Sequence, residues 1–236
     1  MHIAGLQKMT LLDYPGKVAC TVFLQGCNFR CPFCHNSDLL GGQGPESMAT
    51  EDLLAYLEKR KGILDGVCIT GGEPTLQPDL EDLIRSVKAL GYSVKLDTNG
   101  SRPEVLKHLV QEKLLDYVAM DIKNSPEAYS TTAGMKPELF GSVQESVRFL
   151  LTGKVDYELR TTVVDELHRE QDIEAIGRWL EDLNSDHKAK RFFLQCYVDR
   201  ESVLSPGFTP PSREKMEKFV SILRPFVQRI EIRGMD

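Results

Sequence analysis

The chain has 236 residues, 41% of them hydrophobic and 27% charged, which are ordinary globular proportions that exclude disordered, collagen-like and coiled-coil classes. Twenty-nine Lys and Arg stand against 35 Asp and Glu, a net charge of −6, so a phosphate backbone meets net repulsion and no nucleic-acid partner is expected. No apolar run approaches the roughly 20 residues that span a bilayer, and residues 1–12 lack a hydrophobic export core, so a cytoplasmic protein without membrane contact is expected.

Short β-branched runs alternate with amphipathic stretches, the pattern of a parallel sheet with connecting helices. Strands are expected at 17–25, 67–70, 93–97, 117–121, 157–164, 192–196 and 228–233. A helix starts at Thr50, ahead of Glu51, Asp52 and the apolar Leu53, Leu54 and Leu57. A second covers 79–90, with Pro78 suited to its first turn and Gly91 to its end. Ser142-Val143-Gln144-Glu145 reads as a capping box for a helix running to Leu151. Later helices are expected at 172–183 and at 213–223, the latter following Pro210-Pro211-Ser212 and stopped near Pro225. With no repeat or linker, the expectation is one α/β domain over 1–236, built from six or seven β/α units. Within it lie an N-terminal segment 1–16, a core 17–164 and C-terminal β/α units 165–236.

Three of the six cysteines, Cys27, Cys31 and Cys34, crowd into eight residues at C-x3-C-x2-C spacing, while Cys20, Cys68 and Cys196 stand alone. In a reducing compartment such a group ligates a metal rather than forming disulfides. Cys20 and Cys68 lie in apolar strand-like runs and read as buried core. Cys196, at a strand end, is given no role. Three thiolates without a fourth leave an iron-sulfur cubane with one open corner for an external ligand. A zinc site closed by His35 is the minor alternative, since His35 adjoins Cys34 and is poorly placed to share its ion. In parallel β/α folds, chemistry gathers at the carboxyl ends of strands. Four consecutive expected strand ends carry unusual polar sequence: the Cys loop, Gly71-Gly72-Glu73-Pro74, Asp97-Thr98-Asn99-Gly100 and Asp121-Ile122-Lys123.

Cys27-x3-Cys31-x2-Cys34, with Phe33 before the last Cys, resembles the signature of radical S-adenosylmethionine (SAM) enzymes. Thr70-Gly71-Gly72-Glu73-Pro74 resembles their second motif. The resemblance implies a partial (β/α)6-type TIM barrel and a [4Fe-4S] cluster on Cys27, Cys31 and Cys34. It also implies that the cluster's unique iron takes the amino and carboxylate groups of SAM. Gly71 and Gly72 would let backbone approach and Glu73 would accept from the SAM ammonium, while Phe33 and the backbone of Cys34 and His35 would hold the adenine. Phe33 by itself reads equally as core packing.

Residues 9–17, Phe23-Leu24-Gln25-Gly26-Cys27 and Cys34-His35-Asn36 resemble activating enzymes of glycyl-radical enzymes, most of all those of anaerobic ribonucleoside-triphosphate reductase. Asp97-Thr98-Asn99-Gly100 and Asp121-Ile122-Lys123 also resemble pyruvate formate-lyase activase. By that likeness Asp97 and Asp121 supply oxygen ligands to a monovalent cation, Thr98 a hydroxyl, and Lys123 a charge or donor to the cofactor, with Ile122 between them. Arg160 matches an arginine of the family's pocket. Taken alone, Asp97 reads as a turn cap, Lys123 as a solvated amine and Arg160 as half of a surface ion pair.

The implied reaction is reductive cleavage of SAM, yielding a deoxyadenosyl radical that takes hydrogen from a glycine of the partner. The electron would come from a low-potential donor such as flavodoxin or ferredoxin, and Asp13 and Tyr14 are candidate partner contacts. Arg30 and the basic run 188–191 could face an acidic partner surface, although charge runs are usually solvated. Two departures stand out: Asp13-Tyr14-Pro15-Gly16, where many activases have Asp-Gly-Pro-Gly, and Val198, about where pyruvate formate-lyase activase has a cofactor-touching histidine. Two other readings remain, a radical SAM enzyme acting on a small molecule, as 7-carboxy-7-deazaguanine synthases do, and a non-catalytic iron-sulfur or zinc module. Residues 13–17 weigh against the first and Gly71-Gly72-Glu73-Pro74 against the second.

Overall fold

A computed structural model of the chain describes residues 1–41, 48–184, 188–200 and 202–235. Its strands form one eight-stranded sheet in chain order, and the chain divides into two compact units. The first holds Met1–Asn28, Asp38–Thr98 and Glu104–Ala119. It carries strands β1 (Ile3–Thr10), β2 (Ala19–Leu24), β3 (Gly66–Gly71), β4 (Ser93–Thr98) and the start of β5 (Tyr117–Asp121), with helices α1 (Thr50–Glu58), α2 (Leu80–Ala89) and most of α3 (Pro103–Gln111). The second holds Phe29–Ser37, Asn99–Pro103 and the chain from Met120 onward. It carries the end of β5, strands β6 (Asp156–Val163), β7 (Ala189–Cys196) and β8 (Val227–Arg233), and helices α4 (Tyr129–Ala133), α5 (Phe140–Leu151), α6 (Glu170–Leu183) and α7 (Arg213–Leu223).

Strands β2, β3 and β4 pair in parallel, as do β6, β7 and β8. Residues Gly66 to Ile69 of β3 are all buried, the mark of a strand covered on both faces and the reason it reads as a continuous apolar run. Strand β1 was not expected. Its sequence mixes Gly5, Gln7 and Lys8 among apolar residues, and it pairs antiparallel with β2 through two register shifts, so no clean alternation survives in it.

One expected start needs correction. Ser142 does not cap α5, because a 3-10 turn at Pro137–Leu139 runs straight into the helix and moves its start back to Phe140. Helix α1 begins at Thr50 as expected, with Ala49 at the cap and no side-chain capping bond. Real caps form elsewhere: Ser212 Oγ accepts from the Lys215 amide at 3.1 Å, and Asp172 accepts from the Arg169 amide at 3.0 Å, each satisfying an otherwise orphaned donor.

Cys20 and Cys68 are fully buried, as their strand context implied, and burial pushes the Cys20 thiol up to about 12. Tyr14, proposed above as a partner contact, is instead core. It is 2% exposed, lies 6.0 Å from the Tyr117 ring and covers Gly66, where an added Cβ would come within 3.0 Å of its ring. Asp13 keeps some exposure and accepts from Thr21 Oγ1 at 2.5 Å.

Candidate functional site

In the first unit, the ends of β2 and β3 are tied backbone to backbone. The Gly72 amide donates to the Leu24 carbonyl at 2.9 Å, and the Glu73 amide to the Gly26 carbonyl at 2.8 Å. Only glycine permits this. Gly71 sits at φ +120°, and a Cβ there would run into the Leu24 backbone; one on Gly72 would run into the Gly26 carbonyl. The result positions Cys27, at the start of the Cys loop, beside Gly72. Glu73 is 0% exposed. Its Oε1 accepts from the Thr75 amide at 3.1 Å, the Thr75 hydroxyl at 2.5 Å and the Thr98 hydroxyl at 2.8 Å, which fixes the carboxylate's orientation. Asp97, on the β4 face opposite Thr98, is ion-paired with the buried Lys95. The Cys68 sulfur lies 3.6 Å from Lys95 Nζ and 3.7 Å from Asp97 Oδ1.

The second unit holds the rest of the Cys loop. The Arg30 amide donates to the carbonyls of Ala133 and Gly134 at 3.0 and 3.2 Å, the Cys31 thiol to Ala133 at 3.4 Å, and the Cys34 amide to Cys31 at 3.1 Å. Phe33 is buried. His35 Nε2 lies 2.7 Å from the Val198 carbonyl, and its ring stacks on Tyr197 at 5.3 Å and 17°. Burial draws the His35 pKa down against the pull of that carbonyl. Val198 thus contributes its backbone carbonyl to His35.

Asp121 accepts from Lys123 Nζ at 2.9 Å and Arg160 Nε at 2.9 Å. Neither cation is the solvated surface group its type alone suggested: their side chains are 17% and 13% exposed. Burial by itself would raise the Asp121 carboxyl, but Arg160 and Lys123 outweigh it and hold the group well below the usual carboxylate range. For Lys123 burial works downward, and Asp121 and the Cys31 sulfur more than offset it, so its pKa is raised. Backbone bonds lock this group in place. The Ile122 amide donates to Arg160 at 2.7 Å, Thr161 Oγ1 to the Ile122 carbonyl at 2.8 Å and Tyr129 OH to the Asp121 carbonyl at 3.2 Å. The buried His168 sits 2.9 Å from the Lys123 carbonyl through Nε2, while its Nδ1 accepts from the Val164 amide at 3.1 Å.

A family model for the Radical SAM superfamily matches residues 21–176. The chain belongs to the Radical SAM superfamily. It is 30% identical, over 99% of its own length and 96% of the relative's, to a Methanocaldococcus jannaschii protein named glycyl-radical enzyme activating enzyme MJ1227. Identity to the pyruvate formate-lyase 1-activating enzyme of Escherichia coli K12 is 26%, over 97% of both chains. The structure of Streptococcus suis SuiB bound to SAM matches with a TM-score of 0.66 at 14% identity. That match covers 91% of this chain and 52% of SuiB, so the chain spans about half the length of that structure. The fold is therefore the α/β, partial TIM-barrel type of radical SAM proteins.

This radical SAM enzyme uses a [4Fe-4S] cluster and SAM as cofactors. Its donors suit that chemistry: the cysteines are not tied up in disulfides, and Cys27 and Cys34 are partly exposed. Among the described residues no three His, Cys, Asp or Glu side chains are drawn up as a metal site, and Cys27 belongs to one unit and Cys31 and Cys34 to the other. Donor chemistry and the glycine cradle carry the fit. Cluster-type ligation is favoured over zinc closed by His35, whose Nε2 and ring face are engaged with Val198 and Tyr197. No described helix is long and apolar enough to cross a membrane.

Sequence reasoning missed Thr75, Lys95, Tyr197 and His168. Lys95 alone left a signal, a charged residue between the apolar Val94 and Leu96. The other three act through contacts that no local pattern encodes.

Proposed function

We propose that this radical SAM enzyme is an activase that takes a hydrogen atom from a glycine of a glycyl-radical enzyme, and that its partner is anaerobic ribonucleoside-triphosphate reductase. The observation that carries the activase reading is the end-to-end likeness to an activating enzyme, with 30% identity over 99% of the chain. The choice of reductase rests on residues 9–17 and Cys34-His35-Asn36.

Cys27, Cys31 and Cys34 hold the cluster. Gly71 and Gly72 bring backbone close to SAM, and Glu73, oriented by Thr75 and Thr98, accepts from its ammonium. The cationic pair Lys123 and Arg160, set by Asp121, and the Ile122 backbone face the cofactor. Asp97 and Thr98 line it at the end of β4, while Phe33 and the backbone of Cys34 and His35 hold the adenine. When bound, the cluster and SAM supply the one-electron chemistry, and the chain's own groups orient them and exclude water. A low-potential protein such as flavodoxin or ferredoxin delivers the electron.

Oxygen-free protein should contain about four irons per chain and, with dithionite and SAM, release 5′-deoxyadenosine. Mixed with anaerobic reductase, it should give a glycyl doublet in electron paramagnetic resonance. An iron-free protein sinks the cofactor assignment. An active cluster that leaves the reductase silent, yet radicalises pyruvate formate-lyase, reassigns the partner; one silent on both points to a small-molecule substrate.

A further inference from the structure

Likeness to pyruvate formate-lyase activase implies a monovalent cation at Asp97 and Asp121, yet each carboxylate already has a protein cation beside it in its own unit. Asp121 has Lys123 and Arg160; Asp97 has Lys95. We propose that Lys95 is a built-in counter-charge that positions Asp97, so that this enzyme binds SAM without an alkali cation. The proposal rests on the reading above only in placing Asp97 at the cofactor.

Lys95 and Asp97 lie two residues apart on β4 and therefore on one face. The parallel register sets Cys68 of β3 opposite Lys95. The lysine side chain is 1% exposed and that of Asp97 15%, so the ammonium sits on the core side and the carboxylate toward the more open end of the strand. Burying an ammonium is costly, and a buried ion pair gains no more stability than an apolar pair of the same volume. Packing therefore gives no reason for a lysine between Val94 and Leu96, which are fully buried. Function does. A tethered ammonium fixes the Asp97 carboxylate and cancels its charge, which is what a dissociable cation would do, with no dependence on cation concentration. Cys68 lies within 4 Å of both groups.

The test compares KCl, NaCl and tetramethylammonium chloride at equal ionic strength. It measures SAM affinity of the cluster-loaded protein and thermal midpoint of the cluster-free protein. The unaltered enzyme is expected to show the same affinity and midpoint in all three salts. Lys95→Met keeps length and removes charge; it should weaken SAM binding about tenfold or more in tetramethylammonium, the size of loss typical of outer-shell partners, and recover in KCl or NaCl. Its cluster-free midpoint should likewise rise only with the alkali ions. An unaltered enzyme that needs K+ or Na+ overturns the proposal, as does a Lys95→Met protein with no alkali-specific gain. If Lys95→Met does not fold, the neutral pair Lys95→Met with Asp97→Asn serves, and it should bind SAM equally in every salt. Alkali dependence in that pair overturns the proposal. Failure of the unaltered protein to bind SAM at all sinks the functional reading instead, and the cluster-free midpoints then decide the role of Lys95.

Discussion

In the first unit Glu73 is held by two threonine hydroxyls and an amide, whereas in the second Asp121 is held by two full cations. Neutral donors such as these orient a carboxylate without adding positive charge. Two cations beside one carboxylate hold it in its charged form and fix both of its oxygens. Asp97 differs again, its ion pair with Lys95 lying within a single strand. The difference teaches that an acidic residue at a strand end acquires its role from its partners.

The comparison breaks most severely where the metal is lost. Cys34→Ala is expected to abolish iron content and SAM cleavage, while Cys20→Ala keeps both at a cost of roughly 1–2 kcal/mol from lost packing; iron analysis of the two variants side by side decides this. A bleached Cys20→Ala would mean the wrong thiols were chosen.

Next comes the glycine cradle of the first unit. In Gly72→Ala the Cβ meets the Gly26 carbonyl, and overpacking of this kind costs about 1–3 kcal/mol. Denaturant midpoints should fall accordingly and SAM affinity with them. Unchanged affinity would separate the cradle from the cofactor.

Arg160→Met probes the second unit. It leaves Asp121 with Lys123 alone, and because Asp121 is 30% exposed solvent screens the loss to roughly 1–2 kcal/mol, below the value for a fully buried pair. The folded pKa of Asp121 is depressed, so its stabilisation is complete above the unfolded value of about 4 and is lost as pH falls below it. The variant should therefore show a shallower loss of stability on acidification. A stability profile parallel to that of the unaltered protein would mean that Arg160 does not set Asp121.

The smallest effect is that of His168, whose burial lowers its pKa. A base with a depressed folded pKa costs the protein nothing above the unfolded value of about 6.5, and stability is lost as pH falls from there toward the folded value. His168→Gln should flatten the midpoint between pH 7 and 5. A profile unchanged by the substitution would place the acid sensitivity elsewhere.

Much of the sheet was legible because apolar β-branched runs bounded by Gly, Pro and Asp report buried parallel strands directly, and β5 begins and ends where expected. The start that slipped, at Ser142, depended on what preceded the helix rather than on its own first turn. Among site residues, the Cys triplet and the Gly-Gly-Glu turn stand out because each is contiguous and chemically costly to carry without a use. Tyr14 misled because its neighbours looked like a surface turn; only the Gly66 and Tyr117 side of the first unit shows it to be buried.

Spacing of three thiols and placement of two adjacent glycines were determined by the sequence alone, since ligation and close backbone approach depend on residue type within a few positions. Tertiary structure alone decided which groups each carboxylate meets: Lys95 beside Asp97, Arg160 and Lys123 beside Asp121, and threonine hydroxyls on Glu73. The physical reason is that a carboxylate's environment is set by burial and by groups up to 39 residues away, as with Arg160 and Asp121, and no local pattern records which strands the fold lays side by side.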